Sequence, residues 1–159
     1  MQGEKTMKIG EALTEKKRLQ SDLAKVNELI ESNFTYKAGT RPDFDVAKLF
    51  AEQVRLVKQI LELKIKIQKT NADITVPFGG SDFTLQELII TLGDLRSEIS
   101  VFNSLYATKD RMFRYSDDDV ETVTQIPLDE IQKTVRALNE KKTKLDSLLQ
   151  RTNWTVELI

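Results

Sequence analysis

The sequence predicts an all-α protein: an antiparallel four-helix bundle or coiled coil of two repeated αα-hairpins, with a short β-arm as a candidate element in the connections. Three observations carry that prediction. Four segments place apolar residues at alternating steps of three and four, the spacing of a helix seam. The two halves of the chain match one another at fixed shifts. Helix-start chemistry stands where several of the segments begin.

In the first segment the spaced positions are Ile9, Ala12, Lys16, Leu19, Leu23, Val26 and Ile30, with the helix starting somewhere from Thr6 to Ile9. Residues Ser32 to Phe44 contain Gly39 and Pro42 and read as a loop. The second segment gives Val46, Leu49, Gln53, Leu56, Ile60, Leu63 and Ile67. Asp43 and Asp45 stand at its start, where negative charge complements the helix dipole. Ile74-Thr75-Val76, followed by Pro77 and Gly79-Gly80, has the composition of a short extended arm or hairpin.

Thr84 and Glu87 then form a T-x-x-E capping box. It opens the third segment, Leu85, Leu88, Leu92, Leu95, Ile99, Phe102 and Tyr106. From Asp119 to Ile126 the chain alternates, with Val120, Thr122, Thr124 and Ile126 on one side. That is a candidate short strand, to be paired with Ile74 to Val76 or with another subunit. Pro127 suits the first turn of the fourth helix, where its missing N–H costs nothing. The fourth seam is Leu128, Ile131, Val135, Leu138, Lys142, Leu145 and Leu149. Only Lys16, Gln53 and Lys142 break the apolar pattern across all four; at the chain's 40% apolar background, about eleven apolar residues would be expected there rather than twenty-five.

A shift of 76 carries Glu11, Leu19, Ser21, Asn27 and Leu29 onto identical residues at Glu87, Leu95, Ser97, Asn103 and Leu105. A shift of 82 carries Gln68-Lys69-Thr70-Asn71 onto Gln150-Arg151-Thr152-Asn153. The chain reads as one helical domain made of two copies of a hairpin, about 7–72 and 84–154, each ending in Q-[KR]-T-N.

The second segment is apolar over more than its seam. Phe50, Val54, Val57, Leu61 and Ile65 form another stripe, whereas the matching places in the fourth segment are Gln132, Arg136, Asn139, Thr143 and Ser147. So wide an apolar arc belongs to a helix that is covered, either by a second copy of the chain or by loops. A homo-oligomer interface is the expectation.

Composition excludes much chemistry. The chain has 159 residues, 24 Lys plus Arg against 25 Asp plus Glu, no Cys and no His. Disulfides, thiolate or imidazole metal sites and Cys or His catalysis fall away. The balanced charge argues against a nucleic-acid binder. The N-terminus leads into no apolar leader, and runs such as Leu88-Ile89-Ile90 are too short to cross a membrane. A soluble cytoplasmic protein is the expectation, with Met7 an alternative start.

Asp117-Asp118-Asp119 with Glu121 lacks the glycine and the twelfth-place Glu of a calcium loop and reads as a solvated acidic turn. Arg111 and Arg114, interleaved with Tyr106, Phe113 and Tyr115, form a weak anion-site candidate for a nucleotide or phosphate. Lys16 and Lys142 read as side chains that snorkel past the seam. No nucleophile, phosphate-loop or di-iron pattern accompanies these residues, so no enzyme, metal or cofactor is expected. The lone Trp154 reads as an anchor that docks the tail.

Met7-Lys8-Ile9-Gly10-Glu11-Ala12-Leu13, Thr70-Asn71, Arg114-Tyr115-Ser116 and Asn153-Trp154-Thr155 resemble the septicolysin-like family of small bacterial proteins. The resemblance implies a helical, oligomeric protein, with a hexamer as the candidate assembly, and the family's name implies a pore-forming cytolysin. It brings no catalytic residues. A stretch from Val120 to Ile126 is shorter than the roughly 9–11 residues of a membrane-spanning strand. A non-enzymatic, self-associating protein is therefore the leading expectation, ahead of the cytolysin and the nucleotide binder.

Overall fold

The computed structural model describes residues 6–115 and 123–159, with side chains at 6–106 and 123–159. The chain is mostly helical: α1 spans Ile9–Asn33, α2 Val46–Asp73, α3 Leu85–Tyr115 and α4 Leu128–Thr155. Two short strands, β1 (Thr75–Phe78) and β2 (Ser81–Thr84), lie between α2 and α3. The chain divides into two units, one of residues up to 74 together with 152–159 and the other of residues 75–151.

In the first unit α1 and α2 pack against each other through the seam. Leu19, Leu56 and Ile60 are buried together, with Leu23, Val26 and Leu63 around them. Gln53, a polar seam position, donates its amide to Asn27 Oδ1 at 2.7 Å across the pair. The hydrogen bond pairs two half-buried amides and favours one register, as a polar pair does in a coiled coil. Lys16 is half-buried at its seam position.

Helix α1 begins at Ile9, and the Glu11 carboxylate accepts the Lys8 backbone N–H at 2.8 Å. Asp45 caps α2, accepting from the Ala47 and Lys48 N–H groups; Asp43 lies outside the helix. The C-terminal segment returns to the start of α1. Ile9 N–H donates to the Val156 carbonyl at 3.0 Å and Leu158 N–H to the Met7 carbonyl at 2.8 Å, around an antiparallel bridge of Lys8 with Glu157.

In the second unit the candidate β-arm is a two-stranded hairpin. Thr75 pairs with Thr84, Val76 with Phe83, Pro77 with Asp82 and Phe78 with Ser81. Gly79 and Gly80 make the turn at φ of 62° and 87°, a conformation glycine adopts at no steric cost. Ile74 to Val76 thus leads into a strand whose partner is 81–84, and residues 123–126 are not paired with it. Residues 123–126 are not strand; 119–122 lie outside the described residues.

The capping box at the start of α3 forms as expected. Glu87 accepts the Thr84 N–H at 2.7 Å, and the Thr84 hydroxyl accepts the Glu87 N–H at 3.1 Å. Pro127 stands one residue before α4 rather than in its first turn, and its carbonyl accepts the Glu130 and Ile131 N–H groups. Leu85, Leu88, Leu92, Leu95 and Ile99 on α3, and Ile131, Leu145 and Leu149 on α4, are buried. Arg96 bridges α3 to Asp146 of α4 at 3.0 Å, and the half-buried Lys142 reaches the same carboxylate at 3.1 Å. The Tyr106 hydroxyl donates to the Leu128 carbonyl at 3.3 Å. Every seam position read from the sequence is buried or half-buried.

Candidate interaction surface

Helix α2 turns one face toward α1 and carries a second apolar stripe beside it. The seam residues Leu56, Ile60 and Ile67 are buried, at 6% exposed or less. The stripe residues are open: Phe50 is 44% exposed, Val54 67%, Val57 50%, Leu61 53% and Ile65 46%. Steps of four, three, four and four place these five side chains along one side of about four turns, so they form a continuous ridge. Among the described residues no loop buries them, which was the alternative reading of this stripe.

Charge flanks the ridge and is paired locally. Arg55 forms a two-pronged ion pair with Glu52, with its Nε donating at 2.7 Å, and donates from Nη1 to Gln59 Oε1 at 3.0 Å. The guanidinium hydrogen bond holds the Glu52 carboxyl below its ordinary pKa, and Glu52 in turn raises Arg55. On α1, Arg18 does the same for Glu15 and also reaches Asp22 at 2.8 Å. These exposed pairs contribute little to stability, but they satisfy the charges without using the apolar ridge.

Trp154, read from the sequence as the tail's anchor, is 53% exposed. The ring lies over Gly10: a Cβ placed there would stand 2.8 Å from Trp154 Cδ2. The need for glycine at residue 10 was not legible beforehand, because nothing in the local sequence says that an aromatic ring 144 positions away covers it.

Arg111 and Arg114 lie on the last turns of α3, with their side chains outside the described residues, as are Asp117, Asp118, Asp119 and Glu121. Among the described residues no group of three or more acidic side chains is placed to hold a metal ion. No described helix is long and apolar enough to cross a membrane. The loop between α1 and α2 borders an open hollow of about 860 Å³ lined by Phe34, Tyr36, Arg41 and Phe44 among others. Its aromatics were not singled out by the sequence reading; Phe34 and Tyr36 are exposed.

Comparison with known proteins adds a family and a fold. Residues 16–158 match the profile of a family of unknown function, DUF6847. No curated protein matches the chain. A crystal structure of a functionally unknown conserved protein from Corynebacterium diphtheriae is similar, with a TM-score of 0.87 and 24% identity over 97% of this chain and 99% of that one. At that identity the likeness shows the fold alone.

Proposed function

The chain belongs to the DUF6847 family, a family of unknown function, and from that premise we propose that it is a non-enzymatic protein that self-associates through the exposed face of α2. The observation that supports this reading is an internal contrast. Helices α2 and α4 are each 28 residues long, and a shift of 82 carries the first and last residues of one onto those of the other. Their seam positions match, yet the outer stripe is Phe50, Val54, Val57, Leu61 and Ile65 on one and Gln132, Arg136, Asn139, Thr143 and Ser147 on the other.

One helix of this length therefore folds with a polar outer face. The apolar face of α2 is not a requirement of folding, and an exposed apolar ridge is the usual mark of a contact surface. A second copy of the chain is the proposed occupant. In the same reading the chain is a duplicated αα-hairpin: a shift of 76 carries the start of α1 at Ile9 to the start of α3 at Leu85.

Sedimentation of the wild-type chain over a range of concentrations tests this. A particle several times 18.2 kDa that dissociates on dilution supports the proposal, and a single-chain mass throughout contradicts it. The cytolysin that the septicolysin-like resemblance implies makes a separate prediction, release of dye from liposomes by the pure protein. A nucleotide site at Arg111 and Arg114 predicts a raised melting temperature with added nucleotide.

A further inference from the structure

We infer that the duplication closes the chain into a ring: the pairing of Met7 and Lys8 with Glu157 and Leu158 is a second occurrence of the β1–β2 hairpin, without its turn. This rests on the duplicated hairpin proposed above and adds where the repeat begins, ends and joins itself.

The two shifts come from the helices alone, 76 from α1 to α3 and 82 from α2 to α4. Applied to the chain ends, they make Lys8 the counterpart of Thr84 and Glu157 the counterpart of Thr75. Thr75 and Thr84 are paired in the hairpin, and Lys8 and Glu157 are paired in the antiparallel bridge. The next pair outward, Val76 with Phe83, corresponds to Leu158 with Met7, where Leu158 N–H donates to the Met7 carbonyl at 2.8 Å. None of these four terminal residues served to set the shifts.

The flanking hydrogen bonds follow the same rule. Glu11 accepts the Lys8 N–H as Glu87 accepts the Thr84 N–H. Ile74 N–H donates to the Thr70 carbonyl at 3.0 Å as Val156 N–H donates to the Thr152 carbonyl at 2.9 Å. Each copy therefore leaves its second helix at a threonine carbonyl and enters a first helix through a strand pair and a glutamate cap.

In the hairpin Phe78-Gly79-Gly80-Ser81 joins Pro77 to Asp82, whose counterparts by the two shifts are Ile159 and Thr6. An untethered strand pair must be ordered without a short connection, which costs more entropy than a hairpin. The indole of Trp154 over Gly10 stands at this junction. By the two shifts its counterparts are Ala72 and Gln86, so the large ring on a bare helix belongs to the untethered junction alone.

Two rearranged chains test the closure. One is cyclised by joining Ile159 to Thr6 through Phe-Gly-Gly-Ser, with residues 1–5 removed. The other has the same joint but begins at Gly80 and ends at Gly79. The cyclised chain is expected to melt several degrees above the linear protein, because its unfolded state is restricted. The permuted chain is expected to keep the far-UV helical signal and to melt within about 10 °C of the linear protein. In the linear protein the Ile9 and Leu158 amides should be protected from hydrogen exchange. A cyclised chain that melts no higher than the linear one, with an unfolded permutant, would overturn the inference; so would exchange of both amides at the unfolded rate. Particle mass bears only on the α2 face, so a folded permutant of single-chain mass supports ring closure while contradicting self-association.

Discussion

At Gly10 a single hydrogen in place of a side chain decides whether the tail can dock. Ala at position 10 would gain helix propensity, but its Cβ would stand 2.8 Å from the indole of Trp154. Gly93, also helical, has nothing within 4 Å of a built Cβ. Gly93→Ala is expected to stabilise the protein by up to about 1 kcal/mol. Gly10→Ala is expected to displace the ring and shift the emission of the chain's one tryptophan toward the red; an unchanged spectrum would show that the ring does not rest there.

Glu87 makes a second residue-scale prediction, in pH. The Thr84 N–H and hydroxyl hold its carboxyl below the ordinary pKa. A carboxyl lowered in the folded state contributes stability above its unfolded pKa and loses it as pH falls through the lower folded value. Glu87→Gln should thus lose less melting temperature than the wild type between pH 7 and pH 3. Parallel curves for the two would rule the cap out as a contributor.

Among the elements, the neighbours Leu56 and Val57 divide the two faces of α2. Leu56 is 2% exposed and packs with Leu19 and Ile60. Leu56→Ala is expected to cost about 2–5 kcal/mol, read by denaturant unfolding. Val57 is half exposed, and its truncation is expected to leave the chain folded, read by the far-UV helical signal. The helices and their buried sides were legible in the sequence, because a seam such as Leu85, Leu88, Leu92, Leu95 and Ile99 keeps the helical period over several turns, which a strand's period of two does not produce. The capping box at Thr84 was legible for the same reason: its partners lie three residues apart. The Asn27–Gln53 bond and the pairing of Lys8 with Glu157 were not, since each joins residues that only the folded chain brings together. Gly10 belongs to that class as well, and the alternation from Val120 to Ile126 shows the converse, a local pattern whose described part is not strand.

For the molecule as a whole, the proposal is a duplicated hairpin in which the seam occurs twice, on α2 and α4, and the apolar stripe once, on α2. Charge, composition and motifs set expectations for the function, while the proposal of self-association rests on that asymmetry. The most direct measurement is the light-scattering mass of the wild type beside Val57→Asp, with circular dichroism on both. The account predicts an assembly for the wild type and a folded particle of 18.2 kDa for the variant. A folded Val57→Asp protein with the same mass as the wild type would contradict it.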